Sequence, residues 1–541
     1  MASADKDKPM YLVTADEMQR MDRATITSFG IPGRVLMENA GRGATMFFLE
    51  ALYRRRAGPV GVIAGRGNNG GDGFVMARYL HQKTIPVTVF LLSEKARIEG
   101  DAGANLALLT GMGVPVVQVA DAAALDAQRS RMGHQQLWID AILGTGLSSD
   151  VRGHYREAID FINRQQRPVL AVDIASGLNA DTGQVCGTCI QAAATATFGF
   201  AKIGHVTYPG RSFSGRVKVI EIGIPPMVAA DVGCKQHLIT AHALKKSMPS
   251  RSPEAHKGQS GHMLILAGAP GKTGAAALTA MAAMRTGAGL VTLGIPSGLH
   301  QVIEPMLTET MTVGLPQTES GALDASAADP VSALIEGKRC LAVGPGVGSD
   351  PSTGQLVRHV IETSPVPVVV DADGLNLIAR DPAVLARRKA PIVLTPHPGE
   401  MSRLCGCATG DIQRDRIGQA RAFAQRHQVY LVLKGAGTVV AQPDGTVFVN
   451  ATGNPGMAAG GMGDVLTGLI AGLIAQGLDT AAAARTGVYL HGWAADRLSV
   501  TRGPVGYLAS EVIEALPEAI NALLRGDQAS HGRLLDPLGY Q

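Results

Sequence analysis

The tract Asn454-Pro455-Gly456-Met457-Ala458-Ala459-Gly460-Gly461-Met462-Gly463-Asp464 puts four glycines within eight residues, then one acid, then a helical apolar pattern over Val465–Gln476. Small side chains leave backbone N–H groups unobstructed at a helix start, which makes a hole for the oxygens of a transferring phosphoryl group. Asp464, in the first turn, is placed to take the proton of a substrate hydroxyl. A helix cap alone needs a single Asp or Ser, not a run of glycine. Upstream, Lys434-Gly435-Ala436-Gly437-Thr438 follows the apolar run Val429–Leu433 and reads as a backbone-lined cradle for an adenine nucleotide. Gly344-Pro345-Gly346-Val347-Gly348, Asp371-Ala372-Asp373-Gly374 and Thr395-Pro396-His397-Pro398-Gly399-Glu400 close three further apolar runs. His397, held between two prolines, is a rigidly placed imidazole. Gly268-Ala269-Pro270-Gly271-Lys272-Thr273 is not a Walker loop, because Leu266 stands where that pattern needs glycine.

The first half carries a different loop. Gly65-Arg66-Gly67-Asn68-Asn69-Gly70-Gly71-Asp72-Gly73 follows the strand-like Val60–Ala64 and precedes the helix-like Phe74–Gln82. It contains G-x-G-x-x-G, whose glycines let backbone approach a phosphate at a helix start. A mere turn has no use for two side-chain amides and a carboxylate, so a ligand is the better reading than a tight bend. Asp140-Ala141-Ile142-Leu143-Gly144-Thr145-Gly146-Leu147 and Asp173-Ile174-Ala175-Ser176-Gly177-Leu178 each set an acid at a strand end before a glycine turn. Such oxygen-rich loops suit a monovalent cation or a hydroxyl-bearing ligand.

These loops need a scaffold that brings strand ends to one edge. Apolar runs alternate with Ala-rich helical stretches through both halves, so the fold class is α/β, with parallel sheets covered by helices. In the first half the strands are Val60–Ala64, Val87–Leu92, Trp138–Ala141, Val169–Asp173 and Val217–Ile224, after a helix-rich stretch that reaches Tyr53. In the second they are His262–Ala267, Leu290–Ile295, Arg339–Val343, Val366–Val370, Ile392–Leu394 and Val429–Leu433. Thr438–Ala441 and Thr446–Val449 flank a Pro-Asp-Gly turn and read as a hairpin. A Ser/Pro and Lys/Arg-rich stretch at 240–260 reads as a linker, which places the domain boundary near 226–245. Two domains, 10–228 and 235–527, follow a polar tail of about ten residues.

Composition narrows the function classes. A net charge of +4 over 541 residues is too small for a nucleic-acid coat or a membrane-surface protein. No apolar stretch reaches the ~18 residues of a membrane span, and the polar start has no signal-peptide core. Six cysteines, including the pairs Cys186/Cys189 and Cys405/Cys407, form neither a disulfide framework nor a four-ligand zinc site. The expected location is the cytoplasm.

Residues 11–226 resemble the NAD(P)H-hydrate epimerases through Leu36-Met37-Glu38-Asn39-Ala40-Gly41, Gly67–Gly73, Asp140–Gly153, Asp173–Gly183 and Phe198-Gly199-Phe200-Ala201-Lys202. The resemblance implies a Rossmann-like, doubly wound sheet. It implies substrate contacts at Asn68, Asn69, Gly70, Gly71 and Asp72, along Gly144, Thr145, Gly146, Leu147, Ser148, Ser149 and Asp150, and at Asp173. It implies K+ at Asn69, Asp140 and Ser176, with Asp173 as leading acid/base and Lys202 as a weaker partner. Ala175 and Asn179 depart from the Pro and Asp common in that family and touch none of these ligands.

Residues 240–525 are similar to the ribokinase-like fold and, within it, to the NAD(P)H-hydrate dehydratases. His256-Lys257-Gly258, Gly274-Ala275-Ala276, Arg285–Leu290, Thr395–Glu400, Lys434–Thr438 and Asn454–Asp464 carry the match. Hydrate contacts are implied at Ala275, Gly346, His397 and Asp464, and nucleotide contacts at Lys434, Gly435, Ala436, Gly437, Thr438 and Gly463. The implied reactions are interconversion of the R and S hydrates NADHX and NADPHX, then dehydration of the S form. Phosphorylating the C6 hydroxyl makes a leaving group, with Mg2+ on the phosphates, ADP as donor and AMP as product; ATP stays open as donor. The resemblance also implies a homo-oligomer. Two other readings are a ribokinase-like small-molecule kinase with a non-catalytic N-terminal binding domain, and a protein- or RNA-binding module in the first half. The Thr395–Glu400 loop and the match of the first half weigh against the kinase, and the retained acids Asp72, Asp140 and Asp173 weigh against the binding module.

Overall fold

The structure is a computed structural model and describes residues 10–526, so the tail expected before Met10 lies outside the described residues. The chain divides into two compact units, one of Tyr11–Cys234 and one starting at Lys235.

The strands of the first unit are β1 (Met10–Val13), β2 (Val60–Ala64), β3 (Val87–Leu91), β4 (Val116–Gln118), β5 (Leu137–Ala141), β6 (Val169–Val172), β7 (Ala194–Phe198), β8 (Ala201–Lys202) and β9 (Arg216–Ile220). Seven form one sheet in the order β4-β3-β2-β5-β6-β7-β9. Every pairing in it is parallel. The order grows outward from β2, then reverses to add β5 on its other side, which is the doubly wound, Rossmann-like arrangement expected. Ligands bind such sheets at the reversal, beyond the carboxyl ends of β2 and β5. All residues of β2, β5, β6 and β7 are buried, because helices cover both faces. Side chains alternate between two cores: Val62 and Ile139 join Phe47, Phe48 and Phe74 on one face. Ile63 and Trp138 join Phe90 and Phe161 on the other.

The second unit holds β10 (Gln236–Leu238), β11 (His262–Leu266), β12 (Leu290–Pro296), β13 (Met311–Leu315), β14 (Cys340–Val343), β15 (Val368–Val370), β16 (Ile392–Leu394), β17 (Tyr430–Leu433), β18 (Val439–Ala441) and β19 (Val447–Val449). Their order is β13-β12-β11-β14-β15-β16-β17-β18-β19-β10. The sheet is parallel except for β17-β18-β19, where the expected hairpin turns the chain back. Its reversal lies between β11 and β14. The Ala-rich helix Thr273–Thr286 lies against the helix Met462–Ala475. A Cβ on Gly468 would come within 2.1 Å of the Thr279 carbonyl, so this approach requires glycine there.

Several boundaries differ from the sequence reading. The helix expected over Phe74–Gln82 starts six residues earlier, at Asn68, because the Gly-rich run, poor in propensity, is held helical by its packing. The 240–260 stretch includes a short helix, Ala241–Lys245. The strand expected over Val217–Ile224 ends at Ile220, and a short helix, Pro226–Val232, follows. β7 has the sequence ATATF, too polar to stand out as a buried strand, yet it is wholly buried. No helix among the described residues is long and apolar enough to cross a membrane.

Candidate active sites

A cleft of about 970 Å³ opens at the reversal of the first sheet. Gly67, Asn68, Asn69 and Asp72 line it from the β2 end, Gly144, Thr145, Gly146 and Leu147 from the β5 end, and Asp173 and Lys202 from beyond β6 and β7. Asp72 is buried in the second turn of the helix Asn68–Gln82. Burial pushes its carboxyl well above the usual range; Asp173 and Asp22 add to this and Lys202 opposes it. Ser148, Ser149 and Asp150 continue the loop after β5 but do not line the cleft in this conformation.

The glycines of the loop differ in what a side chain there would meet. A Cβ on Gly65 would meet the Ile142 carbonyl at 2.0 Å and one on Gly70 the Gly65 carbonyl at 2.1 Å, whereas nothing lies within 4 Å of one on Gly67. Gly65 and Gly70 are therefore demanded by backbone packing, and only Gly67 leaves room for a phosphate at the helix start.

Asp173 is held in left-handed backbone, φ +64°. Its Oδ1 accepts from Lys202 Nζ at 2.5 Å, Phe198 N at 3.1 Å and Thr197 Oγ1 at 3.2 Å. Lys202 is fully buried and also donates to Thr197 Oγ1 and the Phe198 carbonyl, both at 3.0 Å. All three ammonium protons are thus committed, and they hold the Asp173 carboxylate in place. His205 accepts from Lys202 N at 3.1 Å through Nδ1. Burial, with Lys202 adding, lowers His205 to about 3 and keeps it neutral.

Of the three residues expected around a cation, Asn69 and Ser176 meet at Leu143, and Asp140 joins them through Ser176. Asn69 Nδ2 donates to the Leu143 carbonyl at 3.0 Å, and Leu143 N donates to Ser176 Oγ at 2.9 Å. Asp140 is fully buried and accepts from Ser176 Oγ at 2.6 Å and Ser176 N at 2.8 Å. Burial raises it to about 6 against those hydrogen bonds. Asn69 Oδ1 is buried without a hydrogen-bond partner. A buried acceptor with no donor is costly, and together with the Leu143 carbonyl, Ser176 Oγ and Asp140 it makes an all-oxygen set that fits K+.

In the second unit Asp371, Thr395 and Lys434 follow the carboxyl ends of β15, β16 and β17. Lys434 Nζ donates to Asp371 Oδ1 at 2.6 Å, and Thr467 Oγ1 donates to Oδ2 at 2.7 Å. Thr467 lies on the helix Met462–Ala475, one turn beyond Asp464. A Cβ on Gly463 would lie 3.2 Å from Lys434 Nζ and 3.4 Å from Asp371 Oδ2. The expected acid, the glycine before it and the lysine of the cradle thus form one cluster. Burial lifts Asp464 to about 6; Asp371 and Asp373 add to this and Lys434 opposes it. The Lys434 ammonium is turned to Asp371. Arg416 ties the Leu433 and Lys434 carbonyls at 3.0 and 3.1 Å.

His397 caps the helix Pro398–Cys405: its Nδ1 accepts from Gly399 N at 3.0 Å and Glu400 N at 3.3 Å. Nδ1 is therefore unprotonated and Nε2 carries the hydrogen, 3.4 Å from Glu400 Oε1. Burial, with Lys434 and Arg403, lowers the His397 pKa. At the sheet reversal, a Cβ on Gly346 would meet the Cβ of Ala275 at 3.2 Å, so these two expected hydrate contacts adjoin. Asn454 serves structure: it donates to Asp496 Oδ1 at 2.9 Å and accepts from Tyr507 Oη at 2.6 Å.

Residues 263–518 match the family described as NAD(P)H-hydrate dehydratase, and residues 33–204 match the family described as YjeF-related protein N-terminus. A bifunctional NAD(P)H-hydrate repair enzyme of Moorella thermoacetica is 44% identical over 95% of this chain and 97% of its own length. The chain belongs to the bifunctional NAD(P)H-hydrate repair enzymes. The relative in Escherichia coli is 36% identical over 94% of this chain and 93% of its own. An ADP/ATP-dependent NAD(P)H-hydrate dehydratase from Bacillus subtilis, co-crystallised with ATP and Mg2+, is 33% identical over 53% of this chain and 98% of that one, with a TM-score of 0.46.

In this member of the repair family several residues around the two sites escaped the sequence reading. Asp22, Thr197, Thr467, Arg416 and Asp496 lie outside the glycine-rich loops on which that reading rests. Asp22 falls one turn from the buried Met18 on its helix. The others act through distant partners that the chain order does not reveal.

Proposed function

We propose that the first unit, residues 10–228, interconverts the R and S hydrates of NADH and NADPH at C6, and that the second, 235–527, dehydrates the S form using ADP. The observation that carries this reading is the Asp464–Lys434–Asp371 cluster at a glycine-rich helix start, in a chain similar over its whole length to repair enzymes.

In the dehydratase half, Asp464 takes the proton of the C6 hydroxyl as that oxygen attacks the terminal phosphate of ADP. The free amides before Met462 hold the moving phosphoryl oxygens. Ala275, Gly346 and His397 line the hydrate, and the backbone of Lys434–Thr438 with Gly463 holds the nucleotide. The ring nitrogen then expels phosphate from C6, and loss of a proton from C5 gives NAD(P)H and AMP. Asp371 is already held by Lys434 and Thr467, and Asp373 by Lys272 at 2.8 Å and Gly348 N at 2.9 Å. Mg2+ is therefore expected on the nucleotide's own phosphates and water, where it offsets their charge.

In the epimerase half, Gly67–Asp72 and Gly144–Leu147 bind the hydrate, and Asp173, fixed by Lys202, exchanges a proton with the C6 oxygen. K+ at Asn69, Asp140 and Ser176 would supply charge to the phosphate-binding loops when bound. The same reading carries a cytoplasmic homo-oligomer.

The test is incubation of hydrated NADH with the protein and either ADP or ATP, followed at the absorbance of reduced nicotinamide. Recovery of NADH with formation of AMP from ADP supports the reading. A persistent phosphate ester with no NADH marks a small-molecule kinase instead.

A further inference from the structure

Epimerisation at C6 inverts a carbon, so a hydroxyl leaves one face of the ring and water adds to the other. One proton is delivered to the departing oxygen and one is removed from the arriving water. A single carboxyl held as rigidly as Asp173 serves one face. The cleft presents another candidate that no motif contains.

Asp22 lines the same cleft from the helix Ala15–Thr27. Its Oδ1 is buried and has no hydrogen-bond partner, although a buried carboxylate oxygen ordinarily has one. The charged groups facing it are Lys202 and Asp173, and Asp72 from the helix Asn68–Gln82. Three carboxyls thus line one cleft with a single lysine ammonium that is already spent on Asp173. With all three ionised this group would carry two uncompensated negative charges, which favours the protonated form of a carboxyl among them. Burial lifts Asp22 to about 6, with Lys202 opposing and Asp173 adding. That is the range in which a carboxyl both gives and takes a proton near neutrality.

We propose that Asp22 is the second proton-carrying catalytic residue of the epimerase site, paired with Asp173; the inference rests on the epimerase reading above. In one direction Asp22 protonates the C6 hydroxyl. The C6–O bond breaks as the N1 lone pair forms N1=C6, and water departs. Water then adds to the other face of C6, its proton passes to Asp173, and the N1=C6 electron pair returns to N1. The reverse reaction exchanges the two roles. One water leaves and one enters, nothing is oxidised, and one proton moves from one carboxyl to the other.

The experiment uses the full chain and chromatographic separation of R and S NADH hydrate, comparing wild type with Asp22→Asn and Asp22→Glu. Asp22→Asn is expected to lower the epimerisation kcat at least 100-fold with KM within threefold, and Asp22→Glu to recover part of it. Wild-type kcat/KM is expected to fall as pH rises through about 6, a limb absent from Asp22→Asn. Retention of more than a third of kcat in Asp22→Asn, or a KM effect alone, overturns the assignment. If Asp22→Asn fails to fold, the wild-type profile decides, and the absence of that limb overturns it. A wild type that does not interconvert the epimers removes the epimerase reading itself, an outcome distinct from a working wild type matched by a working Asp22→Asn.

Discussion

Lys202 Nζ lies 2.5 Å from Asp173 Oδ1, and no part of the lysine side chain is open to solvent. Breaking a buried pair by removing one partner leaves an uncompensated charge. Here that charge would face Asp72 and Asp22 as well. Lys202→Met is therefore expected to destabilise the first unit by about 3 kcal/mol at pH 7. Without the ammonium, which opposes the raising of Asp22 and Asp72, these two carboxyls titrate higher still when folded, and acids raised on folding lose stability as pH rises. The deficit should thus be smaller at pH 5 than at pH 7. Urea unfolding at the two pH values checks this; equal deficits would contradict it.

Gly67 and Gly70 look alike in the sequence, yet the structure separates them. Gly67→Ala meets no neighbouring atom, whereas Gly70→Ala drives a Cβ to 2.1 Å from the Gly65 carbonyl. Overpacking of this kind costs about 1–3 kcal/mol or more. Gly70→Ala is expected to lower the thermal midpoint of the protein by several degrees. Gly67→Ala should keep the midpoint and raise KM for the hydrate, because its methyl occupies space left for a phosphate. Equal midpoints in the two variants would refute the packing role of Gly70.

That contrast shows where sequence reading stops. The alternation of apolar runs announced both parallel sheets, because a strand buried on both faces must be apolar throughout, as VGVIA in β2 is. The loops were legible because glycine and acid after such a run mark a strand's carboxyl end. Strands that break the apolar rule were not: ATATF in β7 buries threonines whose hydroxyls find partners, Thr195 Oγ1 donating to the Ser214 carbonyl and Thr197 Oγ1 to Asp173. Nor could chain order show that Thr467 and Lys434 hold the two oxygens of Asp371, since each pair spans dozens of residues. Asp22 stayed hidden because an acid on an amphipathic helix ordinarily faces water.

Asn69 Oδ1 is a buried acceptor without a donor. A cation that binds only the folded state raises its stability in proportion to the logarithm of concentration. Replacing Na+ by K+ is expected to raise the unfolding midpoint of wild type, and Asn69→Leu should abolish the difference. Activity need not be measured. A midpoint that responds equally to both ions, or a response that survives in Asn69→Leu, would remove the cation from this position.

Asp464 sits in the first turn of its helix, where the positive end of the dipole favours a carboxylate. Burial nevertheless raises it to about 6, with Asp371 and Asp373 adding and Lys434 opposing. As a general base it must be ionised, so dehydration kcat/KM should be level above about pH 7 and fall tenfold per unit below about 6. Asp464→Asn keeps the shape of the side chain and removes the base. It is expected to lower kcat for dehydration by about 10²–10⁴-fold while AMP and ADP bind as in wild type, because the amides of the glycine tract are untouched. Calorimetric titration with nucleotide separates the two effects. Loss of nucleotide binding with kcat preserved at saturation would move Asp464 from the reacting hydroxyl to the phosphates.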